Sequence, residues 1–376
     1  MEYLQANAAG GLLQCIVATT ADRRLHRLRA APPFAVLESD SHIHDSPILS
    51  CSVLGAKYLI TTSMSGQVLL FDLEKETVVE ERRDHKKYVV KVSTSEDEKG
   101  VWVATAGWDA KVFLYRLQFL PEDQSSLLGP PIACLTTPTD PEAILFVRHP
   151  DSVEPVLIVS RRDSTSLHYY SLPHRPVTER LSTTPEHLHF LGRQNLAPHS
   201  NAWIAFSPSS LASCPTDPTL LAVATSAVPY MKLVIVRLLL PSLTEASGAT
   251  SGPITQVEQT RATLAVQDRE DTAILTHTST LAPQTPYSTA QVCWRPDGTG
   301  VWVNGDDGVL RGVEANTGKI VATLREGHEV GSKIRTIWAG WVHFGGRREE
   351  WVMSGGFDRR LVVWQVGHNS DECAYG

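Results

Sequence analysis

Three segments of the chain repeat one pattern, and that repetition limits the possible folds more than any single motif does. Residues 101–115 (VWVATAGWDAKVFLY), 351–364 (WVMSGGFDRRLVVW) and, more loosely, 58–71 (YLITTSMSGQVLLF) share it. Each runs as an alternating apolar strand, a tight polar turn and a second alternating strand closing on an aromatic residue. Strands of period two joined by short turns read as β-hairpins, and a hairpin recurring along a chain signals a repeat architecture. Taking the polar residue at each turn tip as a marker, Asp22, Ser65 and Asp109 lie 43 and 44 residues apart. A period of about 40 to 45 residues is that of four-stranded propeller blades.

The units fill out accordingly. Residues 77–81 and 88–93 add two strand patterns ahead of the Asp109 hairpin, giving four strands per period. The same order recurs in residues 291–295, the turn at 296–300 and the hairpin at 301–313. The Asp297-Gly298 pair in that turn supplies the positive φ a tight turn needs. Residues 156–170 and 220–236 read as hairpins with longer turns. Added to those turning at Asp22, Ser65, Asp109, Asp307 and Asp358, they make seven.

A chain of 376 residues is long for one compact core, but a propeller grows by adding blades without deepening its core. The expectation is therefore an all-β, single-domain propeller of four-stranded antiparallel blades over residues 1–376, with seven blades. Residues 120–131, 207–218 and 241–253 are rich in Ser, Thr, Gly and Pro and read as flexible loops. No amphipathic helix pattern stands out, which argues against α/β enzymes.

Composition narrows the function classes. With 42% hydrophobic and 20% charged residues and a mean hydropathy of −0.12, the chain reads as soluble and globular. No run approaches the 18 or so apolar residues of a membrane span. A net charge of −7 gives no general attraction to phosphate backbones or anionic membranes. Doublets such as Arg161-Arg162 and Arg359-Arg360 read as solvated turn residues. The six cysteines are widely separated, with no CxxC pair, so they read as free thiols in a reducing compartment, cytoplasmic or nuclear. His42 and His44 with Asp45, and His187 with His189, are completed by no acidic or cysteine cluster. No metal, cofactor or catalytic residue is expected from these patterns. Gly305, Gly308, Gly312 and Gly318 punctuate strands and precede no helix, so they form no phosphate loop.

The residues Gly107-Trp108-Asp109 with Tyr115, Gly356-Phe357-Asp358 with Trp364, and Gly327-His328 upstream of the last hairpin carry a resemblance to the WD-repeat β-propeller family. It is clearest over residues 44–117 and 290–366. The resemblance implies that His328, Ser354, Asp358 and Trp364 form the family's hydrogen-bonded tetrad inside one blade, so this Ser-His-Asp set is expected to brace structure rather than hydrolyse anything. The third unit keeps His85, Thr105 and Asp109 but ends in Tyr115. The second keeps His44 and Thr61 but has Ser65 and Phe71. The sixth keeps Asp307 but has Val303 and Val313.

The resemblance also implies that the residue before each turn aspartate projects toward partners, which singles out Trp108, Phe357, Met64 and Asp306. The function it suggests is a non-catalytic scaffold binding proteins or peptides, as subunit or adaptor of a complex. The alternatives are a substrate receptor of a ubiquitin ligase or a histone-tail reader, and more remotely a metal-dependent propeller hydrolase. Residues 49–53 (LSCSV), 89–92 (VVKV) and 292–294 (VCW) offer no acids or histidines for such a hydrolase. First-with-last strand exchange in the family further implies that residues 1–8 complete the last blade.

Overall fold

A computed structural model describes residues 1–8, 11–31, 34, 36–40, 43–55, 57–97, 100–117, 128–173, 185–200, 205–241, 256–344 and 346–366. Its strands form seven antiparallel sheets, a seven-bladed β-propeller. Blade 1 holds Glu2–Ala8, Gly11–Thr19, Leu25–Arg29 and Val36–Asp40, and blade 2 holds Ile48–Leu54, Tyr58–Ser63, Val68–Asp72 and Thr77–Arg82. Blade 3 holds Val89–Asp97, Gly100–Gly107, Lys111–Leu117 and Ala133–Thr136, and blade 4 holds Pro141–Arg148, Pro155–Arg161, Ser166–Ser171 and His189–Asn195. Blade 5 holds Pro208–Ser213, Leu220–Thr225, Tyr230–Arg237 and Ile274–Pro283, and blade 6 holds Val292–Trp294, Gly300–Val303, Leu310–Glu314 and Ile320–Leu324. Blade 7 shows Ile334–Phe344, Arg347–Gly356 and Leu361–Val366 among the described residues.

The chain packs as two compact units, Met1–Ser209 with Leu238–Ala273, and Ser210–Arg237 with Ile274–Gly376. In each, the core lies between the faces of successive blades. In the first unit, Leu54, Ile60 and Leu70 of blade 2 pack on Val101, Val103 and Tyr115 of blade 3. In the second, Trp302 and Leu310 of blade 6 pack on Ile334 and Val352 of blade 7. Middle strands are covered on both faces, so Val68–Asp72 is buried throughout, whereas the outer strand Thr77–Arg82 is largely exposed. This is why the middle strands read as near-continuous apolar runs. Serines on the innermost strands add a bridge between neighbours: the hydroxyls of Ser50, Ser93 and Ser210 accept from the backbone N–H of Val92, Phe146 and Val292.

The turn markers share one backbone device. The residue after each marker adopts a left-handed φ: Arg23 (70°), Gly66 (90°), Ala110 (57°), Gly308 (79°) and Arg359 (62°). Blade 4 does the same with Asp163 at 60°. A left-handed residue after a tight turn matches the strands' twist, and it costs an L residue about 1 kcal/mol or more.

Three expectations change. Glu2–Ala8 pairs with Gly11–Thr19, from Glu2 opposite Val17 to Ala8 opposite Gly11, so it belongs to blade 1 and not to the last blade. A local hairpin closes at far lower entropy cost than a pairing across the whole chain. Within residues 207–218, read as a loop, Pro208–Ser213 is the innermost strand of blade 5. An 18-residue helix, Gln256–Ala273, precedes that blade's last strand. Only Glu270 and Ala273 of this helix are buried, so it has no apolar stripe to announce it. Of the other expected loops, 120–131 and 241–253, residues 120–127 and 242–253 lie outside the described residues, as does His42.

Candidate functional site

In blade 7 the four residues read as a bracing set do meet. The Trp364 indole N–H donates to Ser354 Oγ at 3.1 Å, Ser354 Oγ lies 2.8 Å from His328 Nε2, and His328 Nδ1 lies 3.0 Å from both carboxylate oxygens of Asp358. A neutral imidazole satisfies this chain, with Nδ1–H donating to Asp358 and Nε2 accepting from the serine hydroxyl. Burial pulls the Asp358 carboxyl up, but the backbone N–H of Glu329, the His328 imidazole and the backbone N–H of Arg360 outweigh it and hold the group below the usual carboxylate range. Gly356 is what admits the imidazole, since a Cβ there would stand 2.7 Å from His328 Nδ1. Ser354 is 0% exposed and both its neighbours are engaged, so its hydroxyl offers nothing to a substrate.

The other units carry partial versions. In blade 3, His85 bridges Asp109 and Thr105 at 2.9 Å each, while the Tyr115 hydroxyl donates to Asp84 at 3.1 Å. In blade 2, His44 Nε2 meets Thr61 at 2.7 Å and Nδ1 meets Gln67 Oε1 at 2.9 Å. Gln67 thus takes the place of the missing turn aspartate, two residues past Ser65. Its position off the marker hid it in the sequence. Burial pushes His44 down to about 4, with the hydrogen bond to Gln67 opposing. In blade 6, Asp307 forms an ion pair with Arg311 at 2.6 Å.

The four residues expected to face partners are each tied down through the main chain. Met64, Trp108, Asp306 and Phe357 donate their backbone N–H to the carbonyls of Pro47, Tyr88, Pro283 and Lys333 at 2.9 to 3.1 Å. Their side chains differ. Met64 and Trp108 are half-buried. Trp108 stacks on Tyr88 with ring centroids 5.3 Å apart, and the Arg162 guanidinium covers it at 5.1 Å. Arg162 is held in turn by Glu142 at 2.7 Å. Trp108 has therefore folded onto its neighbours, and its indole N–H has no hydrogen-bond partner among the described residues.

In the second unit, the Asp306 carboxylate is engaged by Lys333 Nζ at 2.8 Å and by the Ser288 hydroxyl. Phe357 is 60% exposed, with the Arg335 guanidinium 5.2 Å from its ring centroid. Sequence reading named Phe357 but not Tyr88, Arg162, Lys333 or Arg335. A cation over a ring joins positions with no fixed spacing, and Arg162 sits in a doublet that looks like any solvated turn.

No group of three or more His, Cys, Asp or Glu side chains is placed to hold a metal ion among the described residues, and His187 and His189 are exposed. No described helix is long and apolar enough to cross a membrane.

The blades and their braced hairpins define a β-propeller protein. A family model described as a beta-propeller domain matches residues 15–365, and the chain belongs to that family. A comparison with curated proteins returned no match. Among solved structures, one described as "Crystal Structure of Mitotic Checkpoint Complex" superposes with a TM-score of 0.57 at 11% identity, covering 95% of this chain and 87% of that one. At that identity the likeness concerns the fold alone.

Proposed function

We propose that this protein is a non-catalytic interaction scaffold of the WD-repeat kind, a propeller subunit or adaptor of a multiprotein complex in the cytoplasm or nucleus. The observation that carries this reading is Phe357, a large aromatic ring 60% exposed at the tip of a turn whose backbone is clamped to Lys333. An apolar ring presented on a rigid support loses little entropy on binding, and aromatic residues are over-represented among the residues that dominate protein interfaces.

Other features agree. The complete tetrad of blade 7 and the partial ones of blades 2 and 3 support the WD-repeat assignment. The buried, fully engaged Ser354 supports a non-catalytic role. One solved structure that shares the fold is described as that of a complex, the Mitotic Checkpoint Complex, which agrees with a role in protein assembly.

The test is recovery of the tagged full chain from cells, wild type against Phe357→Ala, with quantitative mass spectrometry of what co-purifies. The scaffold reading expects at least one set of proteins to fall by about tenfold or more with melting temperature unchanged. Identical recoveries would count against it.

A further inference from the structure

The turns hydrogen-bonded to the Phe357–Asp358 turn or to Lys333 beside it carry further exposed apolar residues. Val330 is 100% exposed and Tyr287 88% exposed. Tyr287 lies in a turn in which Ser288 N–H donates to the Thr285 carbonyl at 3.0 Å. Lys333 Nζ ties that turn to blade 7 by donating to Thr285 Oγ1 at 2.8 Å.

Within this patch Arg335 is half-buried, and it has no hydrogen bond or ion pair among the described residues. The acids on the neighbouring turns are committed elsewhere. Asp306, whose field reaches Arg335, is held by Lys333 and Ser288. Asp358 accepts from His328, and Glu329 pairs with Arg360 at 3.3 Å. The Phe357 ring and the more distant Asp306 offset only part of the hydration a partly desolvated guanidinium loses, and no carboxylate of the described residues bonds it directly.

The first unit shows how the same arrangement looks when completed. There Arg162 covers the Trp108 ring and a carboxylate, Glu142, docks on the guanidinium. In the second unit the ring and cation are present, the ring is exposed, and no carboxylate of the described chain fills the third place. Arg359, two residues past Phe357, is exposed and adds a further positive charge.

We infer that the Arg335–Phe357 patch is a docking site for an acidic linear segment of a partner protein, an Asp or Glu side chain meeting the Arg335 guanidinium while flanking apolar residues cover Phe357, Tyr287 and Val330. This rests on the scaffold reading and names the chemistry of its partner. A guanidinium–carboxylate pair is directional and often bidentate, which gives specificity that an apolar patch alone lacks.

The experiment is a selection of random nonapeptides on the full-length protein, followed by affinity measurement of the enriched peptides on wild type, Arg335→Gln, Arg335→Lys and Phe357→Ala. The expected result is enrichment of peptides with an Asp or Glu beside apolar residues. Their affinity falls about tenfold or more in Arg335→Gln, is partly kept in Arg335→Lys and weakens with salt. Melting temperatures of the variants establish that each is folded.

Three results overturn the inference: no enrichment, enriched peptides without acids, or acidic peptides that bind Arg335→Gln as well as wild type. A phosphoserine replacement of the acid that binds more than tenfold tighter would overturn the commitment to a carboxylate. If Phe357→Ala loses partners from cells while Arg335→Gln keeps them, the scaffold reading stands and this inference fails. If both variants keep every partner, the scaffold reading fails as well.

Discussion

At the scale of single residues, the polar atoms inside the blades matter most, because a buried donor or acceptor without a partner costs about 1–3 kcal/mol. Ser354→Ala removes the group that joins the Trp364 indole to the His328 imidazole, leaving both nitrogens unmatched. A loss of about 2–3 kcal/mol is expected, read as a lower denaturation midpoint at unchanged slope. His44 makes a pH-dependent contribution. Its folded pKa of about 4 lies below the ordinary histidine value of 6.5, so the unfolded chain binds the proton more tightly and stability falls as pH drops through that window. By pH 5 this amounts to about 2 kcal/mol relative to pH 7. Burial, reinforced by Arg161, pushes His168 down to about 4 as well, so it acts in the same direction. Equilibrium unfolding at pH 7 and pH 5 checks this, and a His44→Gln His168→Gln variant is expected to lose most of the difference.

At the scale of elements, the left-handed position after each turn marker sets what a blade tolerates. Gly66 has φ of 90°, and a Cβ there would stand 2.5 Å from the His85 carbonyl oxygen, a backbone atom that cannot swing aside. Gly66→Ala is therefore expected to cost more than about 2 kcal/mol, combining conformational strain with the clash. Ala110 sits at φ of 57° in the equivalent turn, so Ala110→Gly is expected to be neutral or to stabilise by up to about 1 kcal/mol. Thermal melting of the two variants, with opposite signs, checks the shared turn. These hairpins were legible because their apolar runs and turn residues are local. The helix Gln256–Ala273 was not, since it is exposed on nearly every side and has no apolar stripe, although its Gln, Glu, Arg and Ala content favours helix. The innermost strand Pro208–Ser213 was missed because it is rich in serine, which reads as loop, although one of those serines, Ser210, serves as a bridge to the next blade. Placing Glu2–Ala8 in the last blade came from family topology rather than from its residues, and the local hairpin took precedence.

At the scale of the whole molecule, the repeat period alone carried the fold from sequence to a seven-bladed propeller, because each blade repeats the same burial problem and the same turn solution. Function was less legible. Phe357 could be named from its place before Asp358, but Arg335 and its lack of a counter-charge depend on which side chains tertiary packing leaves unpaired. Trp108, named by the same rule, turned inward because Tyr88 and Arg162 were there to cover it. The central claim is a division of labour between the buried tetrad and the exposed turn. It is tested most directly by partner recovery per folded molecule for Phe357→Ala and Ser354→Ala, measured beside wild type. The prediction is that Phe357→Ala loses partners at unchanged melting temperature, while Ser354→Ala melts lower yet keeps its partners per folded molecule. If Ser354→Ala lost partners while folded, or Phe357→Ala kept all of them, the claim would be contradicted.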